Sequence, residues 1–277
     1  MARFEYSPSV AIHYEVHGSG EIPVLLLHGY VASLATWHDL SNLFPPDRYR
    51  LYLLDLKGFG RSSKPPDGHY AVADQAAIVQ AFMTHLELRR VVLIGHSMGG
   101  SVALLTALRF CAPGMDPPIH RLILIDCAAF RQEPPRFMTL MTSRLLAGLI
   151  LWLIPTRIII RHVLRAIFRN RAAITPERIA RYAAGLDPQG IVHSFSTTVQ
   201  ELVPPDYEAI VAGYARITLP TLIIWGDNDP IVSPAMGARL QQAMPHACLA
   251  LIDSCGHNPH EERPAETYGA IAAFLDA

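Results

Sequence analysis

Three side chains far apart in the sequence carry the types and local settings that nucleophilic catalysis needs. Ser97 stands in Gly95-His96-Ser97-Met98-Gly99-Gly100, a G-x-S-x-G pattern, directly after the apolar run Val91–Ile94. Small residues and a helical apolar pattern follow, so the serine sits on a sharp strand-to-helix turn with its hydroxyl out of the sheet. A free hydroxyl holds its proton at neutral pH, so the serine requires a positioned base, and a histidine base predicts activity that rises with pH. His257, in Gly256-His257-Asn258-Pro259, follows the last predicted strand. His260 is its rival, and His96 is expected to leave the turn in another direction. The base in turn needs a carboxylate to fix its tautomer. Asp229, in Gly226-Asp227-Asn228-Asp229-Pro230, is the leading candidate. Asp126, after the preceding core strand, and Asp227, better placed to shape its own turn, are alternatives.

A serine attacking a carbonyl generates an oxyanion, which two preorganised N–H donors must receive. One is expected from Met98, the residue after the serine, and the other from Tyr30, in the loop after His28-Gly29. The ring of His28 is expected to brace that loop. Met98 is also placed to line a pocket, and the Tyr30 hydroxyl is a weaker candidate for substrate contact.

The elements that would position these groups read as alternating strands and helices. Strands are predicted at Phe4–Tyr6, Val10–Val16, Val24–Leu27, Leu51–Leu54, Val91–Ile94, Leu122–Ile125, Leu222–Trp225 and Ala247–Ile252. Helices are predicted over Val72–Leu88, after Ser97, and from Pro264 to Phe274. The pattern implies α/β architecture: a mostly parallel eight-stranded sheet covered by helices on both faces. Each chemical candidate follows a strand, where ligands bind in such sheets.

Residues 131–217 break the alternation. Helical patches there are divided by Pro155, Pro176, Pro188 and Pro204-Pro205, which predicts a helical cap inserted into a core made of 1–130 and 218–277. Within it Leu145–Ile154 is apolar apart from Gly148, and too short to span a bilayer. It is expected to pack on the core, to wall an acyl chain or face lipid, or to form an oligomer contact. Leu149 and Trp152 in this run, and Ile231 just after Asp229, are candidates to line a substrate pocket. Arg157, Arg161, Arg165 and Arg169 recur every fourth residue, a stripe that is solvated or meets anionic groups.

With a net charge of −1 over 277 residues, nothing favours nucleic acid as a partner. The four cysteines show no disulfide spacing, and Cys127 and Cys248 are read as buried thiols. The opening residues lack a basic-then-apolar leader, which predicts a cytoplasmic setting. No zinc-ligand pattern is present, and no metal or cofactor is expected.

Taken in order, His28-Gly29 with Ser33 and Trp37, Asp55 through Ser62, Gly95–Gly100, Gly226–Asp229, and Gly256-His257 with Glu261 and Pro264 resemble the capped branch of the α/β-hydrolase superfamily. The resemblance implies a Ser…Asp…His triad in that chain order. It also implies a serine hydrolase of carboxylesterase or lipase type, acting on a small-molecule ester, with the apolar cap favouring aliphatic acyl groups. Aspartate-dependent dehalogenases and epoxide hydrolases are set aside by the serine. Meta-cleavage product hydrolases share length, cap and triad, but usually carry Gly-Pro-Gly in the oxyanion loop and Asn before the serine. Here Tyr30-Val31-Ala32 and His96 stand instead. Cofactor-free haloperoxidases, prolyl iminopeptidases and a non-catalytic binding module are more distant alternatives.

Overall fold

In the computed structural model, residues 2–111, 117–132, 139, 142–186 and 190–277 are described. Their eight strands are β1 (Ala2–Ser7), β2 (Val10–His17), β3 (Ile22–Leu27), β4 (Tyr49–Leu54), β5 (Val91–His96), β6 (Ile119–Ile125), β7 (Thr221–Gly226) and β8 (Ala247–Ile252). They form one sheet in the order β1-β2-β4-β3-β5-β6-β7-β8. The first two pairings, β1 with β2 and β2 with β4, are antiparallel, and every later one is parallel.

The helices are α1 (His38–Ser41), α2 (Val72–His85), α3 (Met98–Arg109), α4 (Arg144–Leu153), α5 (Thr156–Ile167), α6 (Pro176–Ala184), α7 (Ile191–Gln200), α8 (Tyr207–Gly213), α9 (Pro234–Ala243), α10 (Pro259–Glu262) and α11 (Pro264–Asp276). α2 stops short of the predicted Leu88 because Glu87 takes a left-handed φ of 52°, which ends the helical path. Successive strand side chains point to opposite faces. Leu25, Leu93, Leu122 and Leu124 thus pack on one side with Phe82 of α2 and Val102 of α3. Leu26, Ile94, Ile123 and Ile125 pack on the other with Trp37, Leu40 and Ile271 of α11. Continuous apolar strands such as β5 are explained by burial on both faces.

β8 is an outer strand, and this corrects one expectation. Cys127 is buried, but Cys248 is exposed. An edge strand reads as apolar in sequence while turning part of its surface to water.

Parallel register aligns the carboxyl ends of the central strands. Leu27 lies opposite Gly95, His96 opposite Ile125, and Gly226 opposite Ile252. The segments that follow β3, β5, β6, β7 and β8 therefore share one rim. Between β6 and β7 the described residues form five helices, α4 to α8, and no strand. Pro188, one of the prolines taken to divide this segment, lies outside the described residues. Among the described residues, no single helix is long and apolar enough to cross a membrane.

Candidate active site

Ser97 is held at φ 52°, ψ −118°, a conformation that costs a non-glycine residue on the order of 1–3 kcal/mol. The surrounding turn enforces it. The Ser97 amide donates to Ile125 of β6, and its carbonyl accepts from Gly100 and Ala128. A Cβ at Gly99 would collide with the Leu27 carbonyl, so only glycine lets α3 start this close to β3. The strain lifts the Ser97 side chain off the rim, where Oγ lies 3.0 Å from His257 Nε2. His257 Nδ1 lies 2.7 Å from Asp229 Oδ2. The other Asp229 oxygen accepts from the amides of Ile231 at 2.7 Å and Val232 at 3.0 Å. One carboxylate oxygen is thus anchored by backbone and the other is aimed at the imidazole. His257 and Asp229 are both buried, which keeps water from competing for these bonds.

The rivals are placed otherwise. His260 packs between Trp37 and His96, at 4.5 Å from each ring centroid, and burial lowers its pKa to about 3. Neither of its ring nitrogens has a hydrogen-bond partner among the described residues. His96 points back under the turn. Its Nε2 lies 2.8 Å from the His257 carbonyl, which can only accept, so this nitrogen carries the proton. Burial, followed by the neighbouring histidines, pushes His96 well below the usual imidazole range. It therefore stands as a neutral brace beneath the His257 loop, a role that its position next to Ser97 in sequence concealed. Asp227 holds its own turn by accepting from the Cys255 amide. Asp126 is fully buried, accepts from the Gly226 amide at 3.0 Å, and is pushed well above the usual carboxylate range by burial and then by the charge of Asp229. Asp126 is thus spent on the Gly226 amide in surroundings that oppose its charge, whereas Asp229 is the carboxylate that meets His257.

The loop after β3 lies against the serine: a Cβ at Gly29 would stand 3.2 Å from Ser97 Cβ. Its brace is His28. The Leu56 amide donates to His28 Nε2 at 3.0 Å, so the proton is on Nδ1, which donates to the Gly29 carbonyl at 2.8 Å. Neither the Tyr30 nor the Met98 amide has a hydrogen-bond acceptor among the described residues. The Tyr30 hydroxyl is committed elsewhere, donating to the Phe195 carbonyl of α7 at 3.1 Å. Val31 follows at φ 56°, an unfavourable value for a β-branched residue, and adds local strain beside these donors.

Two cavities open on either side of Ser97. The first, about 150 Å³, is walled by Met98, Leu105, Phe130, Leu202, Ile210 and Ile231, among others. The second, about 80 Å³, is walled by Val31, Ile160, Leu164 and Leu186 and reaches His257 and Asn258. Ile231 and Tyr30 border both. Leu149 and Trp152 border neither, and this corrects the expectation that they line the pocket. They are 50% and 81% exposed on the outer side of α4. α4 is apolar around most of its circumference, so no periodicity marks which side turns inward.

Helices from the 131–217 segment are tied to the His257 loop. The His257 amide donates to the Ile167 carbonyl at the end of α5, at 2.9 Å. Glu262 accepts from the amides of Arg169 and Asn170, both at 2.7 Å. Behind them Arg178 of α6 is buried against Asp39 and pairs with Glu261 at 3.2 Å. Tyr182 and Asn258 both donate to the same Glu261 oxygen. Burial pushes the Glu261 carboxyl from 4.5 up to about 7, against the pull of Arg178 and those two donors. The folded chain then keeps a proton that the unfolded chain releases at lower pH. Stability from this group therefore falls as pH rises from about 4.5 toward 7. Glu261→Gln is expected to remove that fall, on the order of 2–3 kcal/mol across the window. Urea unfolding at a series of pH values reads it, and an unaltered slope would assign the pH dependence to other groups.

Comparison with known proteins agrees with this architecture. Lipase 3 of Moraxella sp. (strain TA144) is 24% identical, over 92% of this chain and 77% of its own. A 2-hydroxy-6-oxononadienedioate/2-hydroxy-6-oxononatrienedioate hydrolase of Pseudomonas sp. is 27% identical, over 96% of this chain and 92% of its own. A solved structure described as a membrane phospholipase A superposes with a TM-score of 0.77 at 29% identity, covering 99% of this chain and 86% of its own. Residues 22–264 match the family described as alpha/beta hydrolase fold, and over that length, with its eight-stranded sheet, the chain belongs to this family.

Proposed function

We propose that the chain is a serine hydrolase that cleaves carboxylic esters with apolar acyl groups through an acyl-enzyme on Ser97. The observation that carries this reading is the unbroken hydrogen-bonded line from Ser97 Oγ through His257 to Asp229. Ser97 Oγ attacks the carbonyl carbon and passes its proton to His257 Nε2. Asp229 holds the imidazole by Nδ1 and stabilises the imidazolium. The amides of Met98 and Tyr30 receive the oxyanion. The leaving alcohol takes the proton from His257, and water, activated by the same nitrogen, releases the acid.

The two cavities divide the substrate. The leaving oxygen must reach His257 Nε2, so the smaller cavity, which contains His257, takes the alcohol. The larger one, on the Met98 side, takes the acyl chain. In this reading the 131–217 helices act as a cap that walls both.

With p-nitrophenyl esters, kcat/KM is expected to rise from acetate to about hexanoate or octanoate. Each buried methylene contributes about 0.8 kcal/mol, or roughly fourfold, until the larger cavity is filled. A steady decline from acetate onward would remove the apolar acyl assignment.

A second reading has one observation in its favour. Arg131 and Gln132 border the larger cavity, and an arginine there suits a substrate carboxylate, such as that of the dioate named for the Pseudomonas relative. That reading has the same serine cleave a C–C bond beside a ketone. Turnover of a dienol-diketone acid at rates above those for the esters would select it.

A further inference from the structure

α4 and α5 present an apolar surface that the folded chain leaves in water. α4 buries only Ala147. Leu145, Leu149 and Trp152 recur at the spacing of one helix face and are 90%, 50% and 81% exposed. Leu153, Ile154 and Ile158 continue the exposed apolar surface across the break into α5. Helices apolar on nearly all sides are normally buried, and contiguous exposed apolar patches mark interaction sites.

The neighbouring charge indicates what covers it. α5 turns Ile160, Leu164 and Ile167 inward, and leaves Arg157, Arg161 and Arg165 exposed at every fourth residue. Six arginines fall between residues 144 and 171, while no aspartate or glutamate occurs from 134 to 176. The chain as a whole carries a net charge of −1. The positive charge is therefore concentrated beside the apolar face.

We propose that this face docks on an anionic lipid bilayer. Leu145, Leu149 and Trp152 enter the boundary between headgroups and acyl chains, and Arg157, Arg161 and Arg165 meet the lipid phosphates. Ten-residue α4 is about 15 Å long, half of the roughly 30 Å hydrocarbon core. α4 and α5 are also bent by 113° at their junction. The pair lies in the interface plane and does not cross. Apolar side chains with tryptophan, flanked by arginine, are the composition of such interfacial helices. α5 is also the helix that walls the smaller cavity with Ile160 and Leu164 and ends on the His257 amide. Docking would set the helix that walls this cavity against the membrane surface. The binding itself needs no hydrolysis.

The test uses the Ser97→Ala protein, so vesicles stay intact and the result is independent of the proposed chemistry. Flotation with vesicles of equal parts phosphatidylglycerol and phosphatidylcholine is compared with phosphatidylcholine alone. Binding is expected to the anionic vesicles and to weaken in high salt. It should fall about 25-fold in Arg157→Gln/Arg161→Gln, from about fivefold per arginine. Trp152→Glu should abolish it while leaving the circular dichroism melt unchanged. Trp37 and Trp225 are fully buried, so a blue shift of tryptophan emission on binding reports Trp152. Absence of flotation, flotation undiminished by Trp152→Glu, or equal binding to neutral vesicles would overturn the proposal. So would a dimer that Trp152→Glu dissolves in the absence of any vesicle binding, which would assign the face to a second copy of the chain.

Discussion

Ser97→Ala is expected to lower kcat by about 10⁶-fold and leave the fold intact. The magnitude follows from how the site is wired. In the proposed mechanism, without Oγ the imidazole has no proton to take, and the Met98 and Tyr30 amides receive no oxyanion generated by the protein's own attack. The residual rate over water comes only from those donors and from substrate binding. Stability should move little, because the side chain leaves the sheet at a turn tip. The backbone strain at φ 52° belongs to any residue with a Cβ. Ser97→Gly should be equally inactive but more stable than wild type by about 1 kcal/mol. Thermal melts of the three proteins check this pair of outcomes. An active Ser97→Ala would place the nucleophile elsewhere.

Asp229→Asn is expected to cost about 10⁴-fold in kcat. An amide at this position still bridges the Ile231 and Val232 amides through its oxygen, so the turn survives. The group facing His257 Nδ1 then becomes an NH₂. It forces the proton onto Nε2, and a protonated Nε2 cannot accept from Ser97. The control is Asp126→Asn. Burial and the charge of Asp229 already oppose a charge on Asp126, and its Oδ1 bond to Gly226 can be kept by the asparagine oxygen. Turnover within about tenfold of wild type is expected there. Steady-state kinetics on a short-chain ester separates the two. A dead Asp126→Asn beside a near-normal Asp229→Asn would exchange their roles.

The rim of the sheet was legible because each of its residues follows a strand directly. An apolar run that ends in Gly-His-Ser, Gly-Asp-Asn-Asp or Gly-His places the polar residue at the carboxyl end whatever the packing details. Parallel register then brings those ends together. The details missed in sequence depend on contacts without local signature. Arg178 meets Asp39 across 139 residues and Glu261 across 83, so nothing near Arg178 announces a buried cation. The sequence around His96 says only that its side chain leaves the turn in another direction from Ser97. Its bond to the His257 carbonyl spans 161 residues. In sequence, the apolar run that holds Leu149 and Trp152 suits a pocket wall as well as a core contact. With apolar residues around most of α4, only tertiary packing decides which side turns inward. Strand composition around Cys248 does not distinguish an outer strand from a central one.

The direct test of the central claim is covalent labelling with a fluorophosphonate, which traps a serine activated by a neighbouring histidine. Peptide mass spectrometry is expected to find one adduct per chain, on Ser97. It should be absent in Ser97→Ala and slowed at least about 10³-fold in His257→Ala. A folded chain that hydrolyses esters yet carries no adduct, or carries it on another residue, would contradict the account.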